Sequence, residues 1–165
     1  MIYGFNAAEV FQIAIEIEEN GRRFYEKAAA GLDHPEVKKV LSELGAEEIK
    51  HKQKFTALKS ELPASSTQPT VWDPAGEIDQ YLKMMADLHV FRKSDDVTAR
   101  LAQAKTAESA LTLAIQFEKD SIVFFAEMQA LAESESAKTQ IGQLVKEEQS
   151  HIRKLSLQLR KLTRE

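Results

Sequence analysis

Apolar positions recur at spacings of three, four and seven along four long stretches of the chain, the period of amphipathic helices rather than strands. In residues 7–30 the stripe is Phe11, Ala14, Ile15, Glu18 and Tyr25. In 35–61 it is Val37, Leu41, Leu44, Glu48, His51, Phe55 and Leu58. Residues 107–133 carry Leu111, Ala114, Ile115, Glu118, Ile122 and Phe125, and residues 137–163 carry Ile141, Leu144, Glu148, His151, Leu155, Leu159 and Leu162. Start signals fit these spans. Pro35 suits a first helical turn, Asp33 with Glu36 resembles a capping box, and Thr106 is a plausible N-cap. Short breaks at 31–34 and near 133–136 make two helical hairpins, 7–61 and 106–163.

The connection, 62–105, is too long for a turn. Three of the four prolines lie in 62–75, which reads as a loop with Trp72 as its anchor on the bundle. A weaker helix covers 76–92, with Ile78, Tyr81, Leu82, Met85 and Leu88 or His89 on one side. Another starts at Ser94 or Asp95 and runs to Ala104. Such a crossover lets the second and third long helices run parallel. The expected architecture is an all-α four-helix bundle of two pseudo-symmetric hairpins, one domain over residues 1–165.

The polar residues inside these stripes carry the chemistry. Glu48-Ile-Lys-His51 and Glu148-Gln-Ser-His151 each put a carboxylate and an imidazole on one helix face. Glu18 and Glu118 precede these pairs by 30 residues each, and the two sets are offset by 100. The offset also relates Ala14, Ile15, Phe24, Leu44, Glu47 and Lys54 to identical residues, so the halves read as an internal repeat. Two lone glutamates and two Glu-x-x-His pairs on four helices are the ligand set of a di-iron carboxylate bundle. Burying four carboxylates without partners is very costly, and two divalent cations balance their charge. The alternative is a satisfied polar layer without metal. Oxygen-rich ligands with two imidazoles suit iron, with manganese possible; zinc would be redox-silent. Glu48 and Glu148 are expected to bridge, Glu18 and Glu118 to be terminal, and each metal to take one histidine.

Composition narrows the rest. With no cysteine there is no disulfide, thiolate zinc site, cysteine-held cluster or thiol nucleophile. A net charge of −4 gives no basic excess for nucleic acid. No apolar run reaches the ~18 residues of a membrane span, and the N-terminus does not read as a signal peptide. The expectation is a cytoplasmic protein with neither nucleic-acid nor membrane partners.

Ala-Ile-Glu-Ile-Glu-Glu-Asn-Gly-Arg-Arg-Phe-Tyr from residue 14, Glu-Glu-Ile-Lys-His from 47, Ala-Ile-Gln-Phe-Glu-Lys-Asp-Ser-Ile-Val-Phe-Phe from 114 and Glu-Glu-Gln-Ser-His from 147 resemble the rubrerythrin branch of the ferritin-like superfamily. The likeness spans all four long helices. It implies a ferritin-like fold, a di-iron site, and an oxidation chemistry that uses peroxide or dioxygen. Full rubrerythrins add a rubredoxin-like domain whose iron is held by four cysteines; this chain has none, so the reading requires a separate electron-donor protein or reductant. They also carry a further glutamate one turn after the third-helix ligand, where this sequence has Ser121. Two functions remain open: an oxidoreductase reducing peroxide or dioxygen, and an iron-binding, storage or sensing protein with ferroxidase-like chemistry. A homodimer is expected, because related bundles associate along their helices or through the crossover.

Other polar residues read more plainly. Tyr25, seven after Glu18, either approaches the metals as a catalytic hydrogen-bond or electron donor or is a core tyrosine with its hydroxyl paired. Glu47 and Glu147 point about 100° away from the bridging glutamates, to the surface or to a layer behind the ligands. His34 reads as a loop or cap residue, and His89 as structural, with an extra ligand or proton relay as the alternative. Lys119 and Asp120 read as solvated, as does the run Arg153, Lys154, Arg160, Lys161 and Arg164.

Overall fold

Each of the four long amphipathic stretches is a helix in the computed structural model, which describes residues 7–64, 77–89, 92–132 and 134–164, with the side chains at 78, 79, 82, 83, 94 and 96 outside that description. The helices are α1 (Ala7–Gly31), α2 (Pro35–Ser60), α3 (Glu77–Leu88), α4 (Ser94–Gln103), α5 (Ala107–Leu131) and α6 (Glu135–Leu162). The Trp72 anchor and the contacts expected of Ile78 and Leu82 lie outside the described residues.

Local chemistry sets the helix starts. His34, not Asp33, caps α2: its Nδ1 accepts from the Val37 amide at 3.4 Å, with Pro35 in the first turn. Thr106 caps α5 as expected. Its hydroxyl accepts from the Ser109 amide at 3.1 Å, and the Ser109 hydroxyl accepts from the Thr106 amide at 3.0 Å. α6 begins two residues earlier than its apolar stripe predicts, because Ser134 accepts from the Ala137 amide at 3.2 Å. α3 ends at Leu88 rather than 92, and the chain then turns His89 inward. Leu88 points outward, 69% exposed, and among the described side chains the buried ones here are Ala86 in α3 and His89 just beyond its end.

α1 pairs along its length with α2, and α5 with α6; the hairpins meet where α1 packs on α5 and α2 on α6. α3 lies on α5, and α4 on both α1 and α5. The core between them is strongly aromatic. Phe55 and Phe125 sit 4.7 Å apart, and Tyr25 and Phe117 meet edge-on at 5.9 Å. Each such ring contributes roughly 1.5–3 kcal/mol on burial. The predicted stripe of α2 is buried throughout. α1 and α5 bury wider faces than predicted, adding Ile13, Ile17, Phe117, Ser121 and Phe124. The crossover helices cover part of the surface that a bare hairpin would expose. Gly21 permits one close approach. A Cβ there would lie 2.3 Å from Cζ of Phe117, so only glycine lets α5 place that ring against α1. No helix among the described residues is long and apolar enough to cross a membrane.

Candidate metal centre

Helical spacing puts both members of each Glu-x-x-His pair on the inward faces of α2 and α6. α1 and α5 add Glu18 and Glu118 from the middle of apolar stripes. The fold brings all six together: Glu18, Glu48, His51, Glu118, Glu148 and His151 are 0–2% exposed. They form two overlapping groups, Glu18–Glu48–His51–Glu148 and Glu48–Glu118–Glu148–His151, and within each the candidate ligand atoms lie within 4.8 Å of one another. Glu48 and Glu148 belong to both groups, as bridging carboxylates would. Nδ1 of His51 lies 2.7 Å from one oxygen of Glu148, and Nδ1 of His151 lies 2.8 Å from the other. The imidazoles stack, with centroids 5.4 Å apart and planes 11° from parallel.

The donor atoms fit a metal better than they fit each other. Both oxygens of Glu18, Glu48 and Glu148, Oε2 of Glu118 and both histidine Nδ1 atoms are buried without a hydrogen-bond partner. The short Nδ1–oxygen approaches are crowding without hydrogen-bond alignment. An unsatisfied buried polar group costs roughly 1–3 kcal/mol, so a polar layer complete in itself is a poor account of this cluster. Cations would meet these atoms directly, and two divalent charges match four carboxylates.

Without a cation the cluster would hold protons instead. Burial and the neighbouring carboxylates raise Glu18 and Glu48 well above the usual range. Glu118 is pushed up to about 8 by burial and by the charge of Glu148. Burial opposes charge on the imidazoles, yet the surrounding carboxylates outweigh it: His51 rises to about 9 and His151 to about 11. Glu148, between both rings, is held below the usual range despite its burial.

Tyr25 is fully buried and donates its hydroxyl to Oε1 of Glu118. Burial and the Glu118 charge keep the phenol protonated, so it is a dedicated donor. Glu47 and Glu147 are neither free surface groups nor inert. Oε2 of Glu47 lies 2.6 Å from Nε2 of His151, and Oε2 of Glu147 lies 2.9 Å from Nε2 of His51. Lys154 and Lys54 pair with these carboxylates at 3.2 and 3.0 Å, so Lys154 is not merely solvated. These groups line a cavity of about 360 Å³ between α2 and α6, with both histidines reaching it. The cross-pairing escaped the sequence reading, although Glu47/Glu147 and Lys54/Lys154 carry the same 100-residue offset as the ligands.

The family model described as Rubrerythrin matches residues 9–159. The chain belongs to the rubrerythrin family. Among solved structures, a Thermotoga maritima protein described as a ferritin-like diiron-carboxylate protein is similar to it, with a TM-score of 0.68 and 23% identity over 96% of this chain and 97% of that one. That likeness shows the fold, the ferritin-like bundle that the motifs imply. No curated protein matches. In this rubrerythrin the position one turn after Glu118 is Ser121, buried, with its hydroxyl 3.1 Å from Nε2 of His89. Burial first, and then Arg92, push His89 down to about 3, so its imidazole is neutral. His89 also meets the Phe117 ring edge-on at 5.5 Å. It belongs to neither metal-ligand group, so the extra-ligand alternative finds no support there.

Proposed function

We propose that this rubrerythrin is a non-haem di-iron oxidoreductase that reduces peroxide or dioxygen with electrons from an external donor. The observation that carries the reading is the buried set of Glu18, Glu48, His51, Glu118, Glu148 and His151, whose inward atoms have no hydrogen-bond partners and fall into two groups sharing Glu48 and Glu148. These residues would hold two iron ions, manganese being the other metal the ligands suit. Bound iron would supply the electrons that cleave an oxygen–oxygen bond and would be returned to the ferrous state by the donor. The remaining work belongs to the protein. Tyr25 holds Glu118 in a single orientation, and Phe55, Phe117 and Phe125 pack in the same core and favour a dry centre. The chain has no cysteine to hold a rubredoxin-type iron, so electrons come from outside these 165 residues. Its setting would be the cytoplasm and its form a homodimer.

One observation favours the second reading, iron binding, storage or sensing: Ser121 faces His89 where full rubrerythrins offer a further carboxylate. Anaerobic loading with ferrous iron should give about two metals per chain, falling in Glu118→Ala and His151→Ala. Mixing the di-ferrous protein with peroxide or dioxygen should then change its absorption within the mixing experiment. No change with either oxidant refutes the oxidoreductase reading. Sedimentation separates the storage form of the alternative, because a cage needs a closed shell of many subunits.

A further inference from the structure

α2 and α6 each give the centre two ligands, and His51 and His151 both reach the cavity between those helices. α1 and α5 give one carboxylate each. The side facing α1 and α5 is therefore where the six ligands leave most room for a small molecule. The crossover covers that side, with α3 on α5 and α4 on both α1 and α5. Its histidine, His89, is 4% exposed and brings Nε2 to 3.1 Å from Oγ of Ser121. Ser121 lies one turn after Glu118 and shares the buried face of α5 with it. Beyond the ligands, the other buried polar groups among the described residues are engaged elsewhere. Tyr25 donates to Glu118, Gln158 donates to Glu36 at 3.4 Å, and Asn20 lines a surface cavity with Arg23 and Lys52.

The 100-residue repeat breaks at this place. Ser121 corresponds to Gly21, and the space beyond Gly21 is filled by the Phe117 ring. The α1 half is thus closed by an apolar ring where the α5 half offers a hydroxyl. The same ring meets Tyr25 on one side and His89 on another, both edge-on, and so fixes the angle of the imidazole. Burial and Arg92 keep His89 neutral, so one of its ring nitrogens carries a proton and the other a lone pair. A hydroxyl has one donor and two acceptor positions. A bond donated from Nε2 to Oγ therefore leaves the Ser121 proton for another acceptor.

We propose that Ser121 binds the oxidant and that His89 is its positioning residue: Nε2–H of His89 donates to Oγ, and the hydroxyl proton is presented to an oxygen of peroxide or dioxygen lodged between α1 and α5. The proposal rests on the di-iron oxidoreductase reading and names the contact that orients its substrate. The two halves of the repeat then have different tasks at equivalent positions. Ser121 supplies the polar wall, and Phe117 packed into the Gly21 space supplies the apolar one, which favours a small ligand over an extended one.

Azide tests this, as a small anion that takes open positions on iron and accepts a hydrogen bond as peroxide does. The protein is loaded with iron, oxidised and titrated with azide, whose absorption band gives a Kd without turnover. Ser121→Ala should keep about two metals per chain and weaken azide about 2–10-fold, the equivalent of one hydrogen bond. His89→Phe should weaken azide in the same direction. His89→Gln, whose amide can donate from the place of Nε2, should recover most of that loss. In the unmutated protein loaded with zinc as a diamagnetic probe, NMR should show His89 protonated at Nε2. A merely structural role for the pair would lower Tm in these variants and leave the azide Kd unchanged. That result overturns the inference and leaves the pair to the storage or sensing reading. His89 protonated at Nδ1 alone overturns it as well. Should His89→Phe fail to load metal, Ser121→Ala decides. Iron-loaded unmutated protein that takes up no azide refutes an oxidant site on this side, whereas protein that takes up no iron refutes the dinuclear reading itself, a distinct outcome.

Discussion

Replacing Glu18 by methionine should stabilise the metal-free protein and destabilise the metal-loaded one by comparison with the unmutated chain. Glu18 is 1% exposed, and neither of its oxygens has a hydrogen-bond partner. Its carboxyl is raised by burial and by the charges of Glu148 and Glu118, so without metal it is an uncompensated polar group in the core. Methionine has similar length and no such requirement. Removing an unsatisfied buried group is worth roughly 1–3 kcal/mol, and exchanging buried ionic groups for apolar ones of like volume is often neutral or stabilising by about 1–4 kcal/mol. We expect a gain of about 1–3 kcal/mol in the presence of chelator. For a chain of this size that corresponds to a rise in Tm of about 2–4 °C per kcal/mol. Iron reverses the order. A ligand at a thousand times its Kd stabilises the folded state by about 4 kcal/mol, and the variant loses much of that at one site. Thermal and guanidinium unfolding followed by far-UV circular dichroism, with chelator and with anaerobic ferrous iron, measures both terms. A metal-free Glu18→Met less stable than the unmutated protein would mean that the carboxylates form a self-sufficient polar layer. An order that does not reverse with iron would remove Glu18 from the ligands.

Two further outcomes follow from the same centre. Tyr25→Phe deletes the donor to Glu118, whose raised carboxyl is neutral near pH 7 without metal, and should cost the metal-free protein about 0.5–1.5 kcal/mol, the net range for an ordinary intramolecular hydrogen bond. It should still bind about two metals per chain; loss of one in a metal assay would make the phenol more than an orienting group. The metal-free protein should also lose stability as pH rises from about 5 to about 9. His51 is raised from 6.5 to about 9, so its contribution is complete below 6.5 and lost as pH climbs through 9. Glu118, raised from 4.5 to about 8, keeps a proton that the unfolded chain releases above 4.5, and so acts in the same direction. Loading displaces these protons and should move the optimum to higher pH. Denaturation midpoints in chelator that stay level or rise between pH 6 and 9 would contradict this.

Much of this centre was already legible in the sequence, because its geometry is local. A helix places residues three apart on one face whatever surrounds it, so Glu48 with His51 and Glu148 with His151 could be read directly. The 100-residue offset then implied two equivalent hairpins, and the cost of burying four carboxylates implied cations. Capping was partly readable: Thr106 was, whereas His34 displaced Asp33 because a ring nitrogen can accept from an amide as a carboxylate does. Tertiary packing decided what joins residues with no local relation. Glu47 points away from Glu48 along its own helix, and only the approach of α6 turns that direction toward His151, 104 residues later. Which imidazole nitrogen faces the carboxylates, that Tyr25 reaches Glu118 across 93 residues, and that Ser121 meets a crossover histidine were settled the same way. The helical period determines the face a side chain occupies. What stands opposite that face depends on how helices dock, and docking is set by the summed shape of many side chains that no short spacing encodes.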